Sequence, residues 1–307
     1  LIEFPGYPGL PDREYDAAAF PPFQNAVQAG KFDLAIQMHG SGSIVNDLVR
    51  SFGARFAAGF DPQESRHAER EAFLRYPEHE HEIWRHLRLV EFLGVPPRGD
   101  SLEFPITPAD EAEFRELRAE QGLSDRPYIC IHPGARYPSR RWPADRFAAV
   151  ADSLARRGLG VVLTGAPSER TLAAAVSQAM TQPHVDLAGR TSLGALAVCL
   201  ARSSLLLCND TGVSHVAAAL CVPSVVLVTG SDPRRWAPLD HKLHRVVLQP
   251  AACRPCEHRT CPIDFHCASS ITPAHVLNVV EIALRLDRTN PFPETPSVLQ
   301  RSLACAD

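Results

Sequence analysis

The sequence predicts an α/β protein built on a doubly wound parallel sheet. Three observations carry that prediction. From Tyr128 onward, short apolar runs alternate with amphipathic or alanine-rich segments, as parallel strands alternate with crossover helices. The runs are apolar throughout, as strands covered on both faces must be. Several of them end in small-residue or polar turns just before a helix, and the clearest case is Leu205 to Gly230. There an apolar strand meets the sharp turn Asn209-Asp210-Thr211-Gly212, an alanine-rich helix follows from Val213, and a second apolar strand follows Pro223.

Residues 1 to 30 are rich in Pro, Gly and aromatics and read as surface loop, with a short helix near Phe23 to Ala29. Asp33 to Met38 reads as a strand ending in His39-Gly40-Ser41-Gly42, Ile44 to Phe52 as a helix and Ala54 to Phe60 as a second strand. Glu80 to Leu93 is an amphipathic helix with Ile83, Leu87 and Val90 on one face. His79 and His81 flank its start, where a capping or solvated role outweighs metal ligation. Val95-Pro-Pro-Arg-Gly-Asp100, followed by Pro105 and Pro108, is the best linker. Pro108 opens a charged helix to about Gln121. Strands are then expected at 128–132, 160–164, 185–187, 205–208, 224–228 and 245–248, with helices at 143–157, 168–180, 192–202 and 212–221. Residues 1 to 94 supply only two convincing strands, too few to close a core. Either that half borrows strands or a βα segment precedes Leu1, and the second is the expectation.

At 307 residues the chain suits two domains. A net charge of -4 gives no electrostatic footprint for nucleic acid. No apolar run reaches the length of a membrane span, and no signal peptide is visible. Of nine cysteines, Cys130, Cys199, Cys208 and Cys221 sit in apolar segments and are expected as reduced core residues, which fits a cytosolic protein.

The strand-end turns carry the chemistry. In a β-turn-α unit the turn lies at the carboxyl end of the sheet, where open α/β sheets bind ligands. The N–H groups of Thr211, Gly212 and Val213 open a helix and form an anion site. Asp210 beside them would repel phosphate but accept hydrogen bonds from hydroxyls, so a diphosphate carrying a sugar satisfies both halves. The alternative is an Asp N-cap on an ordinary helix. Ile131-His132-Pro133-Gly134-Ala135 ends another strand, and Arg136, Arg140 and Arg141 follow before the helix at Pro143. Clustered guanidinium groups at a helix start suit a diphosphate, or else form a solvated basic loop. In Asp186-Leu-Ala-Gly189-Arg190-Thr191-Ser192, the carboxylate is a candidate for a ribose diol. His215 faces the 210–213 turn or the core, and His39 is a ligand contact or a turn residue. Cys253, Cys256, Cys261 and Cys267, spaced C-x2-C-x4-C-x5-C, form a candidate structural zinc set, with disulfides or free thiols as the alternatives. No Gly-x-Gly-x-x-Gly follows a strand, which counts against a dinucleotide-dependent dehydrogenase.

Together, His132-Pro-Gly-Ala, Arg-Arg-Trp142-Pro143, Leu187-Ala-Gly-Arg-Thr-Ser-Leu193 and Asn209-Asp-Thr-Gly-Val-Ser-His-Val-Ala-Ala-Ala219 resemble glycosyltransferase family 9. These are the bacterial heptosyltransferases of lipopolysaccharide-core synthesis and their relatives. Phe32 to Gly40 and Cys253 to Pro273 are similar to that family as well. The resemblance implies a GT-B fold, two Rossmann-like domains facing across a cleft, the first incomplete at its amino terminus. Its boundaries would be 1–107 for the acceptor-side domain, 108–287 for the nucleotide-sugar domain and 288–307 for a tail.

It further implies inverting, metal-independent transfer of a sugar, with a heptose from ADP-heptose expected, to a lipid-linked or phosphorylated oligosaccharide, and no cofactor beyond the nucleotide-sugar. The enzyme would be a monomer in the cytoplasm, at the inner face of the inner membrane with peripheral contact. Asp210 would hold donor-sugar hydroxyls while Thr211 and Gly212 bind the diphosphate, and Arg140 stands where the family commonly has a lysine. The donor set comprises His132, Pro133, Gly134, Ala135, Arg140, Arg141, Asp186, Gly189, Thr211, Gly212, Val213 and His215, with His39 and Gly40 on the acceptor side. The family's amino-terminal Gly-Asp turn, which supplies the general base, has no counterpart here. The base is therefore expected before Leu1, with Asp210 itself or Asp47 as the carboxylates to consider within these residues. The alternative function is a nucleotide-sugar-binding module or an inactive paralogue.

Overall fold

Two parallel-stranded sheets organise the chain, one in each of two compact units, Leu1–Asp100 and Ser101–Asp307. The computed structural model describes residues 1–10 and 13–284, so the expected tail at 288–307 lies outside the described residues.

The first unit runs α1 (Phe20–Ala29), β1 (Leu34–Ile36), α2 (Val45–Ser51), β2 (Phe56–Asp61), β3 (Arg66–Ala68), β4 (Glu71–Arg75) and α3 (Glu82–Phe92). Helix α1 starts ahead of its expected position because Pro21 and Pro22 occupy its first turn, where a missing N–H costs nothing. The sheet has four strands in the order β1-β2-β4-β3, with β1, β2 and β4 parallel and β3 antiparallel. This corrects the expectation of two strands. The charged stretch from Arg66 to Arg75 conceals β4, an interior strand whose Ala72 and Phe73 are buried. The guanidinium groups of Arg50 and Arg66 lie 5.0 and 4.9 Å from the centre of the Phe73 ring, so the charges that hide the strand also cover it. Helix α3 is capped by His81, whose ring accepts from Ile83 N–H, the capping role expected of it. Its Arg85 is fully buried, bonded to the Pro77, Glu78 and Glu80 carbonyls, Tyr76 and Glu82. Strand β1 is an edge, and its Leu34 and Ile36 are 46% and 40% exposed.

The second unit runs α4 (Pro108–Glu120), β5 (Tyr128–His132), α5 (Ala144–Arg156), β6 (Gly160–Leu163), α6 (Arg170–Ala179), β7 (Val185–Asp186), α7 (Leu193–Ala201), β8 (Leu205–Asn209), α8 (Gly212–Ala219), β9 (Ser224–Leu227), α9 (Pro233–Trp236), β10 (His244–Val247), α10 (His266–Ser269) and α11 (Pro273–Ala283). The six strands stand in the order β10-β9-β8-β5-β6-β7, all paired parallel. Counted from β5, that is the 3-2-1-4-5-6 arrangement of the doubly wound dinucleotide-binding fold. Alternate residues of each strand feed two cores. Ile129, Ile131, Leu205 and Leu207 pack with Phe147 and Val280 on one face. Tyr128, Cys130, Leu206 and Cys208 pack with Phe114, Val198 and Ala217 on the other. Phe104 and Ile106 join this second core, which is why the unit begins at Ser101 rather than at the expected 108. Cys130, Cys199 and Cys208 are buried free thiols as expected, whereas Cys221, expected with them, is disulfide-bonded. Among the described residues, no helix is long and apolar enough to cross a membrane.

His244 on β10 is buried, with Nδ1 at 2.8 Å from Ser224 Oγ on β9. Burial lowers its pKa from 6.5 to about 4, with Asp240 opposing the shift and His241 and His215 adding to it. A histidine depressed in the folded state stabilises above its unfolded pKa, and that contribution is lost as pH falls toward the folded value. Between pH 6.5 and about 4 this residue should therefore remove stability on the order of 3 kcal/mol. Urea midpoints across that window measure the slope, which His244→Gln should flatten.

Candidate functional site

The strand order reverses direction between β5 and β8. Crossovers from these neighbours leave to opposite sides, so the loops that follow their carboxyl ends part and open a crevice. β5 ends at His132 and β8 at Asn209. Asn209 is fully buried and spans the gap: its Oδ1 accepts from Trp142 N–H at 3.0 Å, and its Nδ2 donates to Pro133 O at 2.8 Å. Trp142 is itself fixed by its indole N–H on Ile271 O at 3.0 Å and its edge-to-face contact with Phe147. The two turns singled out in the sequence are thus held together by one amide.

Asp210 follows at the rim of the crevice. Its carboxylate accepts a hydrogen bond from the buried Ser231, just beyond β9. It does not cap α8. The N-cap is Thr211, in extended conformation and with no side-chain cap bond. The reading of Asp210 as a plain helix cap is therefore corrected. Gly212 opens the helix, is exposed, and has open space where a Cβ would stand, while Val213 is buried and seats the helix on the core. An uncapped helix start facing open space is suited to an anion.

The β5 loop is built by its own side chains. His132 is buried, with Nδ1 3.1 Å from Thr164 Oγ1 and Nε2 3.3 Å from Glu169 Oε2. The hydrogen bond with His132 holds the Glu169 carboxyl below its ordinary range despite burial, helped by Ala166 N–H and by the Arg141 charge. A Cβ on Gly134 would strike that carboxylate, so any larger residue there would have to displace Glu169. Arg141 Nε donates to Ala135 O at 3.0 Å, stapling the loop. Arg140 differs: its Nε is buried with no hydrogen-bond partner. The carbonyls of Pro133 and Ala135 are thus used in holding the loop.

The remaining sequence candidates lie elsewhere. Asp186 ends β7, the edge strand, and its Oδ1 accepts from Ala188 N–H at 2.9 Å. With β6 between β7 and β5, it stands two strand spacings from the crevice, roughly 10 Å. Gly189 takes the left-handed φ of +68° in that turn, where a side chain would strike Arg170. His215 is half-buried on α8, close enough to His244 to act on its charge. In the first unit, His39 is exposed and Gly40 has φ of +60° with open space around it. Asp47 is ion-paired with Arg50 at 3.0 Å. Among the described residues no group of three or more His, Cys, Asp or Glu is placed to hold a metal ion, and Cys253, Cys256, Cys261 and Cys267 form none. Instead, Cys256 Sγ lies 4.0 Å from His258 O, and Cys261 Sγ accepts from Phe265 N–H at 3.1 Å.

Sequence reasoning passed over Asn209 as a mere turn residue and missed Ser231, Thr164 and Glu169. Ser231 carried a signal, since Val228-Thr-Gly-Ser231 is another strand-end turn. Glu169 carried none, because it meets His132 only through tertiary packing. Asn209→Ala orphans the Trp142 N–H and the Pro133 carbonyl and should cost about 2–4 kcal/mol. Thermal denaturation beside Asn209→Asp, which keeps the acceptor for Trp142, separates the two bonds.

The sequence profile of glycosyltransferase family 9 (heptosyltransferase) matches residues 22–266. Lipopolysaccharide heptosyltransferase 2 of Salmonella typhimurium is 36% identical over 153 residues, which are 48% of this chain and 44% of that one. The chain spans about half the length of the curated relatives it matches. The crystal structure of a family 9 glycosyltransferase from Veillonella parvula aligns with a TM-score of 0.71 at 22% identity, over 89% of this chain and 81% of that one. ADP-heptose lipopolysaccharide heptosyltransferase II of E. coli aligns with a TM-score of 0.62 at 23% identity, over 87% and 81%. These likenesses assign the GT-B fold, with its Rossmann-like units. On the profile match across most of its length, the chain belongs to glycosyltransferase family 9.

Proposed function

We propose that this chain carries out inverting, metal-independent transfer of a heptose from ADP-heptose to a lipid-linked or phosphorylated oligosaccharide of the lipopolysaccharide core. The single observation that carries this reading is the disposition of Asp210. Its carboxylate is held by Ser231 at the rim of the crevice rather than spent on capping α8, whose first turn is left uncapped. A carboxylate for sugar hydroxyls thereby adjoins a helix start for phosphate, which is the chemistry of a nucleotide-sugar. The relatives support the sugar and the base: one is named a lipopolysaccharide heptosyltransferase, another an ADP-heptose-dependent one. In this reading the second unit binds the donor and the first the acceptor, and the enzyme works as a monomer at the cytoplasmic face of the membrane.

The reaction makes specific demands on these residues. An acceptor hydroxyl attacks the anomeric carbon from the face opposite the leaving diphosphate, a carboxylate takes its proton, and negative charge develops on the departing oxygen. The N–H groups of the α8 start and the Arg140 guanidinium group meet that charge in fixed positions, which is where such donors contribute most. Arg140 suits the role because a guanidinium group presents forked donors to phosphate oxygens.

Mass spectrometry of products from a panel of nucleotide-heptoses and truncated lipid-core acceptors tests the reading directly. Turnover should persist in chelator, and heptose transfer should exceed hexose transfer. Asp210→Asn should lower kcat/KM by about a hundredfold or more while the melting temperature moves little, because the bond lost inside the protein is the one to Ser231. Arg140→Ala should raise the donor KM about ten- to a hundredfold, the worth of one charge-assisted bond. An Asp210→Asn variant with full turnover would sink the proposal.

A further inference from the structure

The cysteine-rich segment is packed against the carboxyl edge of the second sheet, the edge that bears the crevice. Cys256 N–H donates to Gly230 O at 2.6 Å, and Arg254 donates to the Val228 and Thr229 carbonyls at 3.0–3.2 Å. From the other side, the buried Ser139 donates its hydroxyl to His258 O at 2.6 Å and its N–H to Arg259 O at 3.1 Å. The backbone on both sides of Arg259 is thus pinned to the loops that follow β5 and β9.

The pinning brings a third guanidinium group to a single ring. The guanidinium carbons of Arg136, Arg140 and Arg259 lie 5.4, 5.4 and 5.5 Å from the centre of the Tyr137 ring. A ring has two faces, so stacking does not account for three cations. Among the described residues, neither Arg140 nor Arg259 has a carboxylate in ion-pairing distance, and Arg140 Nε is buried without a hydrogen-bond partner. The stem of Arg140 lies over Gly230, where a Cβ would stand 3.5 Å from Arg140 Cγ and 3.1 Å from Cys256 Cβ. Arg140 and Arg259, held at one ring without an ion-paired carboxylate, repel each other, and a multivalent oxyanion relieves that repulsion while using their forked donors.

We propose that Arg259 is a phosphate-binding residue of the donor site, closing with Arg136 and Arg140 a cationic collar around Tyr137 that holds the donor diphosphate. The inference rests on the donor reading given above and adds a residue from outside the strand-end turns. The cysteine-rich segment thereby acquires a task, which is to carry a cation to the ligand edge of the sheet.

Calorimetry on the full chain tests it, with ADP and adenosine as probes. Arg259→Ala should weaken ADP about ten- to a hundredfold. Arg259→Lys should weaken it less, and adenosine, which lacks the diphosphate, should bind all three proteins alike. Unchanged ADP affinity in Arg259→Ala, beside clear binding by the unaltered protein, overturns the role of Arg259 and leaves the donor reading standing. An equal loss for ADP and adenosine marks a structural role for the loop and overturns it as well. A raised KM for a phosphorylated acceptor with ADP affinity intact would assign Arg259 to the other substrate, against the proposal. Failure of the unaltered protein to bind ADP overturns the donor reading, and this inference with it.

Discussion

The amide of Asn209 is the constraint on which the ligand edge of the second unit depends. It is fully buried and bonded at both ends, to Trp142 N–H and Pro133 O. The doubly wound order would by itself leave the loops after β5 and β8 diverging. Asn209 fixes their separation, and through Trp142 it also sets where the following helix begins. No charged residue could do this as well, since the site demands one acceptor and one donor on the same short side chain.

Around that bridge the charges are sorted by depth. Glu169 and His132 lie behind the β5 loop and bond each other, so the Glu169 carboxylate is spent on holding that loop. Asp210 lies at the rim with Ser231, and the cations Arg136, Arg140 and Arg259 gather about Tyr137. A diphosphate-sugar is itself divided into an anionic and a hydroxyl-rich half, and the proposed donor reading matches the sorting to that division. Arg141, adjacent in sequence to Arg140, is instead a loop staple. Neighbours in the chain therefore have different work, decided by which carbonyl each can reach.

The first unit shows how far pattern reading extends. Its helices follow the sequence, because α1 and α3 are amphipathic and carry their own start signals, two prolines in one and His81 in the other. Strand β4 was illegible because an interior strand is recognised by continuous apolar residues, whereas Glu71-Ala-Phe-Leu-Arg75 is bounded by charges. Those charges are tolerated because Arg50 binds Glu71 and, with Arg66, covers the Phe73 ring. The compensation comes from α2 and β3, and no local window contains it.

For the second unit, the sequence by itself determined the parallel sheet, its six strands and the turns that end them. All of these are local, since apolar runs, small-residue turns and helix starts are set by a residue and its near neighbours. Only the tertiary structure decided which partners the polar side chains of those turns have. Asp186 is turned back on Ala188, His132 is held by Glu169 and Thr164, and Asp210 is freed from α8 by Ser231. The tertiary structure also brought Arg259 to Tyr137, 122 positions apart in the chain. Hydrogen-bond partners of buried polar groups are fixed by packing, and packing joins residues that sequence spacing does not relate.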